Sequence, residues 1–68
     1  MSTTEQQQFI MEGLPNISAV LAKRLLQHFG SIRAIANASE EELCNVHGIG
    51  KNIATEIVKV LNVEYLKG

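Results

Sequence analysis

Apolar residues recur three and four positions apart through most of this 68-residue chain, and no stretch shows the strict alternation of a half-buried strand. The pattern predicts an all-α unit of five short helices. Ser2 or Thr3 can cap a first helix running to about Glu12, with Phe9, Ile10 and Met11 as its apolar content; Gly13 ends it and Pro15 prevents its resumption. Gln6, Gln7 and Gln8 have nothing evident to bury, so fraying is expected before about Gln7. From Ser18, a second helix places Val20, Leu21, Leu25, Leu26 and Phe29 on one stripe and stops at Gly30. Ser31 starts a short connector helix with Ile32 and Ile35, which Asn37 or Ala38 closes. Ser39 and Glu42 match a capping box, with Leu43 and Val46 closing that short helix. The last helix carries Ile53, Ala54, Ile57, Val58, Val60 and Leu61 as a wide apolar stripe.

The pattern also repeats. Leu14-Pro15-Asn16-Ile17-Ser18-Ala19-Val20-Leu21-Ala22 returns 32 residues later as Val46-His47-Gly48-Ile49-Gly50-Lys51-Asn52-Ile53-Ala54. Each copy is a turn running into a helix, so the chain reads as two helix-turn-helix halves joined by the helix at 31–37. Residues 1–12 form the frayed-start first helix, residues 13–68 complete the same domain, and the two turns fall at 14–18 and 46–50.

Each position of the second turn has a mechanical reason. Gly48 and Gly50 permit backbone angles closed to other residues and let a phosphate approach the main chain, while Ile49 plugs the turn into the core. Lys51 and Asn52 stand at the start of a helix, where backbone N–H groups and the helix dipole favour anions. Ala54 is small enough for paired helices to approach closely. The first turn has drifted: Asn16 and Ser18 replace the glycines, and Ala19 and Val20 replace Lys51 and Asn52. Asn tolerates left-handed angles and Ser can cap a helix, so the turn can survive, with Lys23 as the nearest compensating charge and Arg24 second. The second turn is therefore expected to be the stronger phosphate clamp. The plain alternative is a glycine turn that serves only to join helices.

Size and charge narrow the partner. One domain near the lower end of what folds unaided must rest on its hydrophobic core, because Cys44 is the sole cysteine and no Cys/His cluster has zinc-ligand spacing. Neither a signal peptide nor an apolar run near the ~18 residues of a membrane span is present, which fits a reducing cytoplasmic or nuclear setting. The formal charge of −1 argues against capture of nucleic acid by bulk electrostatics. Any anion-binding face is local, built from the second helix and second turn around Lys23, Arg24 and Lys51, with Glu40-Glu41-Glu42 pointing elsewhere as a solvated helix start.

At these residues the chain resembles the tandem helix-hairpin-helix, or (HhH)2, domains. It is most similar to the C-terminal domain of XPF/Hef-type structure-specific endonucleases, with the C-terminal domain of UvrC second. The resemblance runs from about Gly13 to Leu66 and is carried by Gly13-Leu14-Pro15-Asn16-Ile17-Ser18, the stretch from Ala22 to Ser31, Ala38-Ser39-Glu40-Glu41-Glu42-Leu43, and Gly48-Ile49-Gly50; the Glu64-Tyr65-Leu66 tail leans towards XPF/Hef. It implies a module that binds DNA without sequence preference, its hairpin amides contacting phosphates of both strands across the minor groove. On this chain the contacts would come from Gly48, Ile49, Gly50, Lys51 and Asn52, and from Asn16, Ile17 and Ser18 with Lys23 nearby. Double-stranded or branched DNA is the implied partner, shape rather than base identity the implied selector.

The family's nuclease signature is missing, the chain has no Asp, and its closely spaced acids are the helix-start glutamates, so no catalytic centre, metal site or cofactor is expected. His28 and His47 lack partners at ligand spacing; Cys44 and Phe29 read as core, and Arg33 as a solvated or peripheral residue. Phe9, Ile10, Met11, Val63, Tyr65 and Leu66 leave apolar surface at the chain ends, and the resemblance implies a homodimer through this domain that would cover it. The alternatives are that both ends fold back onto their own domain, that the chain is a sterile-alpha-motif-like protein-interaction module in which the glycines are only structural, or that it is a junction nuclease with a hidden site.

Overall fold

Four serines start four of the helices. Ser2, Ser18, Ser31 and Ser39 lie in extended backbone, and each hydroxyl accepts the backbone N–H of the residue three positions on, at 3.1–3.3 Å. Each satisfies one N–H that a helix start leaves without a partner. The computed structural model describes residues 1–66, in which the helices are α1 (Thr3–Glu12), α2 (Ala19–Phe29), α3 (Ile32–Ala36), α4 (Glu40–Cys44) and α5 (Lys51–Asn62). The all-α expectation holds, and no strand occurs among the described residues.

The order is α1 against α2 and α4 against α5, with α3 touching both α2 and α5. Burial follows the sequence repeat residue by residue. Met11 and Leu43, Leu14 and Val46, Ile17 and Ile49, Ala22 and Ala54, and Leu25 and Ile57 are five pairs of buried residues at the repeat spacing, and Ile35 and Ala38 from the connector complete the core. The half-buried rim repeats too: Leu21 with Ile53, Leu26 with Val58, and Phe29 with Leu61. No polar or charged residue is buried among the described residues, so the core is held by apolar packing alone.

Several expectations are corrected. Helix α1 starts at Thr3 behind Ser2, which forms a capping box with Glu5 as one of the two expected caps, but Gln7 and Gln8, expected to bury nothing, are half-buried in a groove against α2. Cys44 is exposed, not core. In the five-residue α4 the buried position is Leu43, and a rotation of about 100° per residue carries its neighbour to the solvent side. Val20 and Val60 share the helical period of their stripes yet stay exposed, since each helix buries only a narrow strip. Met11 belongs to the chain's own core at 1% exposure, whereas Phe9, Ile10, Val63, Tyr65 and Leu66 are exposed. Met11 is therefore not part of the exposed apolar surface.

The capping boxes make folding sensitive to acid. In both Glu5 and Glu42 the carboxyl lies below the ordinary glutamate value of 4.5, chiefly through the backbone N–H of Ser2 or Ser39 and then through the serine hydroxyl. A carboxyl depressed in the folded state contributes stability above its unfolded value, and that contribution is lost as pH falls through the folded value. Thermal melts are thus expected to shift down as pH drops below about 4.5, and Glu42→Gln should flatten that dependence; an equally steep acid loss in the variant would remove Glu42 as its source.

Candidate nucleic-acid interface

The two turns are one backbone shape written in two sequences. Gly13 N–H reaches the Ile10 carbonyl as Asn45 N–H reaches that of Glu42, Leu14 reaches Met11 as Val46 reaches Leu43, and Ile17 reaches Leu14 as Ile49 reaches Val46, all between 3.0 and 3.3 Å. The helices then start alike, with Ala22 N–H on Ser18 O and Ala54 N–H on Gly50 O, both at 2.9 Å. Asn16 takes φ 62° where Gly48 takes φ 94°, and Asn16 is the sole non-glycine with positive φ among the described residues. The side-chain amide of Asn makes that region accessible, which is how the first turn survives without its glycine.

Gly50 is a different case. Its backbone, φ −89° and ψ 177°, is ordinary extended geometry, and a Cβ there would meet nothing within 4 Å. Ser18 occupies the same conformation, φ −79° and ψ 171°, without strain. The expectation that Gly50 needs angles closed to other residues is therefore corrected; what its missing side chain changes is hydrogen bonding. Ser18 Oγ accepts from Leu21 N–H at 3.3 Å, whereas Gly50 gives α5 no side-chain cap. The N–H groups of Lys51, Asn52 and Ile53 have no acceptor among the described residues, and among these α5 is the one helix that starts without a side-chain cap. Open amides at a helix N-terminus attract an anion.

Gly48 is held to glycine chiefly by its backbone angle, φ 94°. A Cβ there would also fall 2.7 Å from Leu21 Cδ2 and 3.1 Å from Arg24 Nη1, side-chain ends of α2 that would have to shift. Arg24 Nη1 also donates to the His47 carbonyl at 3.1 Å, tying residues 23 positions apart. No signal in the sequence pairs them, since only the folded contact brings Arg24 to that loop. The two turns are linked through α2, which leaves one turn and is pinned to the other.

Asn16, Ser18, Gly48, Gly50, Lys51 and Asn52 are exposed, Ile17 and Ile49 are buried plugs, and Lys23 is exposed on α2 beside the groove that holds Gln7 and Gln8. The glutamate run does not point wholly elsewhere. Glu40 and Glu41 line a groove with Ser39, Cys44 and Lys51, and Glu40 Oε1 accepts from Thr55 Oγ1 at 2.9 Å, so packing of α4 on α5 brings acid to one flank of the second turn. No group of three or more metal-ligating side chains occurs among the described residues, and no helix among them is long and apolar enough to cross a membrane.

Two turns of one geometry, each plugged by an isoleucine and each leading into a helix, define a tandem helix-hairpin-helix fold. The family model of the helix-hairpin-helix motif matches residues 8–67, and the chain belongs to that family. It is 49% identical over 65 residues to a Methanocaldococcus jannaschii protein described as an ATP-dependent RNA helicase, covering 96% of this chain and 8% of that protein. It is 42% identical over 66 residues to the 3'-flap repair endonuclease Xpf of Saccharolobus solfataricus, covering 97% of this chain and 28% of the endonuclease. The solved structure of XPF from Aeropyrum pernix in complex with DNA superposes with a TM-score of 0.90 at 37% identity, over 96% of this chain and 32% of that one. The chain thus spans a small part of these relatives, as the XPF/Hef resemblance implies.

The two glycines of the second hairpin should separate in mutagenesis. Gly48→Ala is expected to cost about 1–2 kcal/mol from the left-handed backbone alone, with contact against Leu21 added. Gly50→Ser should leave stability unchanged or raise it by a few tenths of a kcal/mol, as a cap like Ser18 forms. Chemical denaturation measures both, and equal losses would contradict the assignment of distinct roles.

Proposed function

We propose that this chain is a DNA-binding module that holds phosphates of duplex or branched DNA through its hairpin amides, reads shape rather than base identity, and acts as a homodimer. The observation that carries the reading is the uncapped start of α5 behind Gly48-Ile49-Gly50, flanked by exposed Lys51 and Asn52. The first hairpin has the same backbone through Asn16, Ile17 and Ser18, but its cap is closed by Ser18 and its charge rests on Lys23, so it is the weaker contact. The structural neighbour's complex with DNA and the similarity to a flap endonuclease support the same partner class. On this reading catalysis lies outside this chain, which covers 28% of the flap endonuclease it resembles, and the module positions such an activity on DNA.

Dimerisation is supported by the apolar surface at the chain ends. Phe9 is 66% exposed, Tyr65 87% and Leu66 78%, with Ile10 and Val63 also exposed, a costly arrangement for a small single domain. A second copy that covered these residues would bury them and bring a second pair of hairpins.

Lys51→Glu should weaken binding to a short DNA duplex about tenfold or more while leaving the melting temperature and oligomeric state unchanged; wild-type affinity in the variant would favour a purely structural hairpin. Wild-type affinity should fall with salt at a shallow slope, about −0.9 per phosphate contacted. In an NMR titration the duplex should shift residues 48–52 most and 16–18 less. For the dimer, sedimentation should show the wild type as two chains and Phe9→Ser combined with Tyr65→Ser as one; a wild type that stays monomeric at every concentration sinks that part of the reading.

A further inference from the structure

The second hairpin has two unlike flanks. On one, Lys51 shares its groove with Glu40 and Glu41. On the other, a cleft of about 420 Å³ lies between α2 and the turn, lined by Arg24, Gln27, His28, Asn45, Val46 and His47, with no carboxylate among its lining residues. Arg24 is half-buried there and anchored by one bond from Nη1 to the His47 carbonyl. A guanidinium has five N–H donors in a rigid fork suited to phosphate, and the remaining donors of Arg24 have no acceptor among the described residues.

The repeat gives the two halves different side chains on this flank. At the matching positions of the other half, Glu56 stands for Arg24, Val60 for His28, Pro15 for His47 and Lys59 for Gln27. Matching backbone is thus given an arginine, two imidazoles and a neutral amide at one hairpin, and an acid, a valine, a proline and a lysine at the other, so that only the first flank combines a guanidinium with no carboxylate. Packing alone asks for no such difference, since the core and rim residues of the two halves remain matched apolar residues throughout.

We propose that the Arg24–His28–His47 cleft is a second phosphate subsite, holding the phosphodiester next to the one bound at the α5 amides on the same DNA strand. The proposal rests on the reading that those amides grip phosphate, and it adds a direct contact from the first half of the domain to the strand held by the second. The backbone of that strand would run over the flank free of carboxylates and away from Glu40 and Glu41. Arg24 holds the phosphate as a bidentate donor while its bond to His47 keeps the fork in place, and the imidazole N–H groups of His28 and His47 supply the lateral hydrogen bonds.

A rival role for Arg24 is that it merely staples α2 to the loop, and the test must tell these apart. Binding of wild type, Arg24→Gln, Arg24→Lys, Lys51→Glu and the double variant His28→Ala with His47→Ala to a short blunt duplex is measured across a salt series, with melting temperatures alongside. The histidine pair leaves the staple intact, because the His47 acceptor is its backbone carbonyl. The subsite predicts a several-fold loss of affinity for the histidine double variant at unchanged melting temperature. It also predicts a salt slope shallower by about 0.9 for Arg24→Gln, restored in Arg24→Lys. Wild-type affinity in the histidine double variant, or an unchanged slope in Arg24→Gln, overturns it. Loss of binding in Lys51→Glu with either of those results fails the subsite and keeps the hairpin reading, whereas full binding in Lys51→Glu with loss in the Arg24 and histidine variants does the reverse. Inorganic phosphate added to the free protein separates the sources: shifts at His28 and His47 with the duplex but not with phosphate at the same phosphate concentration mark a site for polymer backbone, and equal shifts with both mark a generic anion site and overturn the assignment to DNA.

Discussion

Because the chain reverses through a left-handed residue in each hairpin, Asn16 or Gly48, the isoleucine that follows turns into the core and the next helix starts, capped by Ser18 in the first half and without a side-chain cap in the second. The rest of the domain depends on that reversal. Ile17 and Ile49 are 6% and 4% exposed, and each closes a matched set of buried residues that runs from the helix before the turn to the helix after it. A turn that could not take positive φ would withdraw the plug and redirect the amides together, so stability and the candidate function share one backbone angle in each half. Gly48 carries the heavier constraint, since α2 presses on it through Leu21 and Arg24.

Much of this was legible in the sequence because the controlling signals are local. Serine followed by a free N–H three residues on sets four helix starts, and the repeat spacing sets which residues are buried. Asn16 was readable as a substitute for glycine because its tolerance of left-handed backbone is a property of the residue itself. The misreadings have a common physical cause. A helix as short as α4 has too few residues for periodicity to assign Cys44 to a face, and the fate of Gln7 and Gln8 depends on α2 rather than on their own segment. The role of Gly50 is not readable from sequence because a glycine can be kept for an angle or for an absent hydroxyl, and only the observed φ separates the two. Arg24 against His47, and Glu40 and Glu41 beside Lys51, are tertiary contacts that no spacing rule encodes.

The charge arithmetic now has a spatial meaning. A domain of net charge −1 cannot attract DNA from a distance by its overall field, so binding has to come from a few well-placed donors. The structure concentrates them at one hairpin: open amides at α5, Lys51 in front, Arg24 behind. Acid at one flank does not cancel this arrangement, because backbone dipoles are fixed in direction and act at hydrogen-bonding range, whereas exposed carboxylates are screened by salt. In the proposed complex it would bias the path of the strand towards the flank where no carboxylate lies.

The same asymmetry bears on why two chains would be needed. A duplex offers two backbones, and a tandem domain with two equal hairpins could address both alone. Here the first hairpin keeps the geometry but has lost what makes the geometry attractive to phosphate: Ser18 occupies an amide, Ala19 and Val20 stand in place of Lys51 and Asn52, and Glu56 stands where the other half has Arg24. What the first half has retained is structural, namely the core residues that match those of the second and an α2 helix that braces Gly48 and His47. One half has become the support of the other. Under the proposed reading a single chain would have one strong grip, and the second that a duplex requires would be supplied by the same hairpin of a second copy, which could cover the exposed Phe9, Ile10, Val63, Tyr65 and Leu66.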